Sequence, residues 1–405
     1  MNKKLFQAAI LSFIITIITF CLHMFNNVDS MLNDHSFKIS NSYLAIAYDL
    51  HKTYYPFAKR PLTNLLIELL SYTFHSSIGF SFIIVNFTFI FFNGILVYKL
   101  SSIFSQNHKN NLINMVIFFL CFSNIFAFFV PIYSYDEPLQ YFFILLSLIY
   151  FFKKKWLYFI LLFSISIMAR ESSIILLPGL WLLSLNEQKL INLENLKKTL
   201  YLGIPVLVYI VFIIIYINKN NLIDSNEEDI KNRLIHFKLN IGENIAAAET
   251  FFSLFLILGL PIYFLYISII KKSYSSLLEK KLLKSFFITL IINSVIVILT
   301  TKARESRLFI LPLFFLWPIF FNIIKEEICE VFKFSNYINL FKRWDYFILF
   351  GFLIFLNNLI CYKMYTITDG DASQNYFNLY LFLTITIIIF HSLFTILNRE
   401  KELLK

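Results

Sequence analysis

Charged residues interrupt the most apolar parts of this 405-residue chain. The tetrapeptide Ala-Arg-Glu-Ser occurs twice, at 169–172 and at 303–306, and the acidic pair of SYDEPLQY lies between two apolar runs. Carboxylates can accept a proton from a hydroxyl group, and the planar guanidinium of arginine matches the oxygens of a phosphate. The charged residues that we single out are Asp29, Asp34, Arg60, Asp136, Glu137, Arg170, Glu171, Lys302, Arg304, Glu305 and Arg307. Together they could bind an anionic substrate and remove a proton from its reaction partner.

The composition determines which elements can position these residues. Apolar residues make up 58% of the chain, 50 residues are phenylalanine and the mean hydropathy is +0.70. A soluble domain of this size cannot bury so much apolar surface, whereas a lipid bilayer can surround it. Glycine and proline number only 8 and 9, so most helices should be uninterrupted. We therefore predict an all-α, polytopic transmembrane helical bundle without a soluble domain.

Apolar runs divide the chain into about 12 membrane segments, several of them shorter than the ~20 residues of a lipid-exposed span. They lie at 5–25, 79–100, 112–131, 138–152, 156–169, 173–185, 199–217, 251–270, 285–300, 308–324, 345–362 and 377–397. This layout places 22 of the 35 Lys and Arg residues on the side of both termini, as expected for the cytoplasmic face. We predict one domain over 1–405, with a cytoplasmic loop at 325–344 and two variable spans within 345–405. The net charge of +10 then reports topology and not nucleic-acid binding.

The segment 156–185 is ambiguous because it could form one tilted span or two short segments. A single span would place Arg170 near the bilayer centre, at about 3 kcal/mol on the insertion scale. It would also put most of the later basic residues on the outer side. We therefore predict that the chain turns back at Arg170 and Glu171, so that both copies of the tetrapeptide lie on the outer side.

The first outer loop, 26–78, should contain helices that lie in the membrane interface. After Pro61, which suits a first helical turn, leucines recur with helical spacing on one side of the segment. A second helix is predicted for 41–50. These helices would cover the outer ends of the spans and bring the loop carboxylates close to the basic residues.

Ordinary structural explanations exist for several of these charges. Arg170 with Glu171, and Arg304 with Glu305, could form local ion pairs that end helices. The carboxylates of the first loop could simply be solvated, and we assign no chemistry to SNEEDIKNR at 225–233, which has the composition of a solvated helical surface. The four cysteines show no metal-ligand spacing, so we predict no protein metal site.

Over about residues 1–325 the arrangement resembles the GT-C superfamily of integral-membrane glycosyltransferases, which use polyprenyl-phosphate sugars. The similarity consists of a first span followed by a long acidic outer loop, and of a series of short spans with basic residues at their outer ends. Local patterns that carry it are D-x-x-x-x-D at 29–34, RPL at 60–62, YDE at 135–137 and MARESSIILLPGL at 168–180. The first acidic pair departs from the superfamily pattern, in which the two carboxylates are adjacent.

The resemblance implies roles for the charged residues. Asp34 is the first choice for the base that takes the proton of the acceptor hydroxyl, and Asp29 is the second. The cations that would stabilise the departing phosphate are Arg60, Arg170, Lys302, Arg304 and Arg307. The residues that would orient these cations, bind sugar hydroxyls or hold a divalent ion (Mg²⁺ or Mn²⁺, used by some relatives only) are Asp136, Glu137, Glu171 and Glu305.

The expected function is transfer of a sugar from a polyprenyl-phosphate donor to a lipid or glycan acceptor at the outer face of the membrane. Richness in Ile, Phe, Asn and Lys is typical of an AT-rich bacterial genome and favours the bacterial inner membrane. Two alternatives are an O-antigen or capsule-type glycan polymerase and a polytopic transporter or flippase of lipid-linked glycans. The short late outer loops argue against the polymerase, and the position of the charges at one face argues against the transporter.

Overall fold

The computed structural model describes residues 3–29, 32, 39–124, 132, 134–185, 192–220, 233, 235–270, 276–364 and 376–403. Throughout these residues the chain is helical, apart from connecting segments and one isolated bridge between Val28 and Ile39. The prediction of an all-α fold is confirmed.

We number the α-helices in chain order. Their bounds are α1 (Lys3–His23), α2 (Asn41–Thr53), α3 (Tyr55–Ala58), α4 (Pro61–Phe74), α5 (Ile78–Phe104), α6 (His108–Leu120), α7 (Glu137–Phe152), α8 (Trp156–Ala169), α9 (Leu177–Ser184), α10 (Leu193–Lys219), α11 (Ile235–Ile241), α12 (Asn244–Ile270), α13 (Leu277–Thr300), α14 (Leu313–Leu316), α15 (Phe320–Phe332), α16 (Phe334–Lys342), α17 (Trp344–Asn358) and α18 (Phe377–Leu403). A 3₁₀ segment, Glu171–Leu176, joins α8 to α9.

Seven helical segments in the described chain are long and apolar enough to cross a membrane, as judged by length and composition. They are Lys3–His23, Ile78–Phe104, Leu193–Lys219, Asn244–Ile270, Leu277–Thr300, Trp344–Tyr362 and Phe377–Arg399. Their outward faces carry large exposed apolar side chains such as Leu207 and Ile215 of α10. An apolar exterior of this kind is stable in lipid and not in water, so this is a helical membrane protein.

The two helices predicted for the first loop are present as α2 and α4. Ser40 caps α2, because its hydroxyl accepts a hydrogen bond from the backbone N–H of Tyr43 at 3.2 Å. α2 packs closely on the start of α5, where the N–H of Gly79 donates to Asn41 Oδ1 at 3.0 Å. A Cβ atom at position 79 would lie 2.9 Å from that oxygen, so glycine permits the close approach.

The turn predicted at Arg170 is also present. α8 ends at Ala169, and Arg170 has extended backbone angles (φ −159°, ψ 122°). Trp156, at the start of α8, stacks on Tyr201 of α10, with 5.3 Å between the ring centroids. Trp181 of α9 donates a hydrogen bond to Thr199, which also lies in α10, at 3.1 Å. One straight helix would separate the two tryptophans by about 37 Å. The chain therefore reverses direction at Arg170.

One prediction needs correction. The run 308–324 is not one helix, since it consists of a 3₁₀ turn, the one-turn helix α14 and the start of α15. Proline lacks the N–H of a continuing helix, and Pro312 and Pro318 interrupt this run. The segment 325–344, predicted as a cytoplasmic loop, is helical over most of its length, because the remainder of α15 and the whole of α16 occupy it.

Candidate functional site

A cavity of about 210 Å³ lies where the ends of α7, α8 and α13 come together. Twelve charged or polar residues and six aliphatic ones form its wall. The lining residues are Arg60, Glu137, Gln140, Tyr141, Arg170, Glu171, Ser172, Ile175, Arg233, Asn293, Ile296, Val297, Thr300, Thr301, Arg307, Leu308, Ile310 and Leu311. We call it the arginine cavity, because four arginines are among the described residues that line it.

Glu137 is the central carboxylate of the arginine cavity. It is the first residue of α7 and only 3% of it is exposed. Its carboxylate pairs with Arg170 and lies 3.1 Å from Nη1 of Arg307, while the hydroxyl of Ser134 donates to both of its oxygens. One acidic side chain thus fixes two arginines that are far apart in sequence.

Glu171 organises a second group of cations at the same cavity. Arg60, which precedes α4, donates to both Glu171 oxygens from Nε and Nη2, each at 2.7 Å. Nζ of Lys59 lies 3.1 Å from the same carboxylate. The bidentate geometry fixes the plane of the Arg60 guanidinium. Gln140 of α7 holds the adjacent 3₁₀ segment by donating to the Ser173 hydroxyl at 2.9 Å.

Asp136 lies behind the cavity wall and is completely buried. Its Oδ2 is 3.9 Å from Nη1 of Arg60 and 3.8 Å from Nδ1 of His51. The His51 ring is held between the rings of Phe57 and Tyr135, at 4.2 and 4.0 Å. Burial raises the pKa of Asp136 to about 7, although the charge of Arg60 opposes this shift.

The charge balance of the wall favours an anionic ligand. Among its described residues the arginines number four and the carboxylates two, Glu137 and Glu171. A wall that carries more cationic than acidic side chains attracts an anionic ligand. Arginine in particular presents several N–H groups to the oxygens of a phosphate.

The remaining residues predicted from the second tetrapeptide divide into two groups. Glu305 lies beside the arginine cavity, because its carboxylate accepts a hydrogen bond from Nε of Arg307 at 2.9 Å. Arg304 instead turns to α12, where Nη1 lies 3.1 Å from Glu249 Oε2. Lys302 is exposed, and neither Lys302 nor Arg304 is among the described residues that line the cavity. The alternative of local ion pairs is therefore wrong for Arg170 and Arg304, which pair with distant carboxylates.

The structure describes only one of the two predicted bases of the first loop, Asp29. Asp29 is half-buried, and its backbone N–H donates to the carbonyl of Ile39 at 2.8 Å. It is not among the described residues of the cavity wall. Asp34 lies outside the described residues. The carboxylates that the structure does place with the arginines come from the later motifs.

Three residues in or beside the wall of the arginine cavity were not predicted from the sequence. Arg233 lines the cavity although it ends the segment SNEEDIKNR, to which we assigned no chemistry. Lys59 stands beside the predicted Arg60 and could have been found as part of the same basic pair. The role of His51 had no sequence signal, since it depends on the packing of α2 against Tyr135.

The resemblance left open a divalent cation beside these carboxylates. Mg²⁺ and Mn²⁺ need several oxygen ligands at one point. In the described part of the chain no three His, Cys, Asp or Glu side chains are grouped so that they could hold a metal ion. Glu137 and Glu171 are each engaged by two cationic side chains, which does not suit metal binding.

A second cavity, of about 190 Å³, has an almost entirely apolar wall supplied mainly by α6, α12, α15 and α18. A chain of aromatic rings connects the two cavities. Tyr141 of the arginine cavity contacts Phe314 at 5.3 Å between ring centroids, and Phe314 contacts Trp317 of the apolar cavity at 4.9 Å. A polar and an apolar binding space therefore lie side by side.

Comparison of the chain with protein-family models, with curated proteins and with solved structures finds no match. The charges of the arginine cavity, its burial and the apolar cavity next to it are therefore the features that indicate a function.

Proposed function

We propose that this protein is a membrane glycosyltransferase that moves a sugar from a polyprenyl-phosphate donor to a lipid or glycan acceptor. The observation that carries the proposal is the convergence of Arg60, Arg170, Arg233 and Arg307 in one buried cavity at helix ends of a membrane bundle. These arginines suit the phosphate of the donor, and the neighbouring apolar cavity suits part of its hydrocarbon chain.

In the proposed reaction the acceptor oxygen forms a bond to the anomeric carbon of the sugar. The bond between that carbon and the phosphate oxygen breaks, and the phosphate keeps the electron pair. Arg60, Arg170 and Arg307 would stabilise the growing negative charge, because prepositioned cations act strongly in a site with little water. The acceptor proton would pass to a first-loop carboxylate, with Asp34 as first and Asp29 as second choice.

Orientation in the membrane is part of the proposal. With twelve membrane segments and both termini in the cytoplasm, most Lys and Arg residues face the cytoplasm, and the arginine cavity opens on the outer side. We place the protein in the inner membrane of a bacterium, where the outer face is the site of envelope glycan assembly. The partners are then the donor lipid, the acceptor and the surrounding membrane lipids.

The proposal can be tested with the purified full-length chain in lipid nanodiscs. The donors are polyprenyl-phosphate glucose, mannose and arabinose with a radioactive sugar, and a bacterial membrane-lipid extract supplies acceptors. We expect one of these donors to lose its label to a new glycolipid or glycan. Unlabelled polyprenyl monophosphate should inhibit the reaction, because it occupies the arginine cavity.

The alternatives predict other results in the same system. A transporter would move an intact donor across the membrane of a sealed vesicle without any change in its covalent structure. A polymerase would join repeat units that are linked to polyprenyl diphosphate. Failure of polyprenyl monophosphate to bind the protein, measured by equilibrium binding, would overturn the proposed transfer.

A further inference from the structure

The hydroxyl group of Tyr141 is an unused polar group in the wall of the arginine cavity. Tyr141 lies one helical turn after Glu137 on α7 and is fully buried. Its hydroxyl forms no hydrogen bond with any part of the chain that the structure describes. A buried hydroxyl without a partner destabilises the folded protein, so such groups are rare unless a ligand or water completes them.

Asn293 of α13 contributes a second polar group to the same wall. Its side chain is fully buried, and its Nδ2 donates to the carbonyl of Leu308 at 2.9 Å. This bond fixes the orientation of the amide, while Oδ1 accepts no hydrogen bond from the described residues. Both Tyr141 and Asn293 therefore present an unsatisfied acceptor oxygen in the lining of one cavity.

The chemistry of these oxygens differs from that of the arginines. A guanidinium can only donate hydrogen bonds, so it binds the oxygens of a phosphate. An amide oxygen can only accept them, so Asn293 Oδ1 needs a ligand atom that carries a hydrogen, and an ionised phosphate has none. A phenol both donates and accepts. A sugar hydroxyl satisfies both groups, because it too donates and accepts.

We propose that Tyr141 and Asn293 form a hydroxyl-binding subsite that holds the sugar ring of the ligand, while the arginines hold its phosphate. The inference rests on the proposed function and adds to it the part of the wall that recognises the sugar. Contact with Phe314 holds the Tyr141 ring in place, so its hydroxyl is positioned before a ligand arrives. Tyr141 is thereby a determinant of sugar specificity.

The substitution Tyr141→Phe tests this subsite, because it removes one oxygen that has no partner among the described residues. Equilibrium binding would be measured for polyprenyl-phosphate glucose, mannose and arabinose, and for polyprenyl monophosphate without a sugar. We expect about tenfold weaker binding of the sugar-bearing ligand that the wild type prefers. Binding of the bare monophosphate should stay within about twofold of the wild type, which would also show that the variant is folded.

Tyr263→Phe is the matched control. The Tyr263 hydroxyl lies away from the cavity and is hydrogen-bonded to His391 and Ser392, both at 2.8 Å. Its removal should lower the thermal midpoint and leave both affinities unchanged, whereas Tyr141→Phe should leave the midpoint unchanged or slightly raised.

The outcomes separate the two proposals. If Tyr141→Phe binds the sugar-bearing and the bare ligand as the wild type does, or weakens both equally, the hydroxyl subsite is wrong and the glycosyltransferase proposal stands. If the wild type binds the bare monophosphate but prefers no sugar-bearing ligand over it, the subsite is also wrong. If the wild type binds none of these ligands, both proposals fail.

Discussion

The two Ala-Arg-Glu-Ser segments have the same letters and different surroundings. In the first segment both Arg170 and Glu171 line the arginine cavity. In the second segment Arg304 faces α12 and pairs with Glu249, and the arginine that reaches the cavity is Arg307, three residues later. A shared tetrapeptide therefore does not specify a shared role.

The cause of the difference is the backbone that precedes each segment. Arg170 follows α8 directly, and its N–H still donates to the carbonyl of Ser166 at 3.0 Å, so the helix determines its direction. The second segment begins after α13 has ended at Thr300. There Asn240 of α11 accepts from the N–H of Ala303 at 3.0 Å and so determines the backbone position.

The largest difference between the two segments is expected in sugar transfer. Arg170→Ala should lower the transfer rate by about 10²–10³-fold, the usual effect of removing one group that stabilises transition-state charge. Arg304→Ala should lower it by less than about threefold, because this side chain pairs with Glu249 outside the cavity. Initial rates in nanodiscs would measure both effects. Equal losses in the two variants would contradict the distinction that we draw between the segments.

A smaller difference is expected in stability when the carboxylate partners are replaced. Glu137→Gln leaves Arg170 buried without its counter-charge and removes one of the carboxylates that Arg307 contacts, so it should destabilise the protein by about 3 kcal/mol. Glu249→Gln affects Arg304, whose side chain is 20% exposed, and should cost about 1 kcal/mol. Thermal unfolding in detergent gives both values. If the second variant were the less stable one, the central role of Glu137 would be wrong.

The smallest effect is expected in the pH dependence of stability, through Asp136 near the first segment. Burial raises the pKa of Asp136 to about 7, whereas an unfolded Asp titrates near 4. The folded protein therefore holds a proton that the unfolded chain has lost, and this group lowers stability as the pH rises from about 4 to 7. Asp136→Asn should remove this loss and raise the thermal midpoint at pH 8 more than at pH 5. A difference between variant and wild type that does not change with pH would exclude the raised pKa.

Much of the fold could be predicted from residue types alone. The apolar runs indicated membrane helices, Pro61 marked the start of α4, and the charge of Arg170 indicated a break in the apolar segment. These features depend on neighbouring residues and on the difference in solvation between water and lipid. The interruption at 308–324 was missed, although Pro312 and Pro318 provided a local signal for it.

The site was predictable only as a set of candidates. The sequence indicated that Arg60, Glu137 and Arg170 are costly in apolar surroundings and therefore need partners. It could not identify the partners, because Arg60 and Glu171 are 111 residues apart and their contact depends on how α4 packs against α8. Arg233 was overlooked because it ends a segment whose composition is that of an ordinary polar surface.

The sequence by itself determined that this chain is a helical membrane protein with charges gathered near helix ends, since composition and local breaks are enough for that conclusion. The tertiary structure decided which charges meet. Arg304 lies in the turn that follows α13, and Arg307 lies in the 3₁₀ turn Ser306–Phe309. The role of Arg307, and not of Arg304, follows from the path of the backbone through these turns, because contacts with residues distant in sequence, such as Asn240, fix that path.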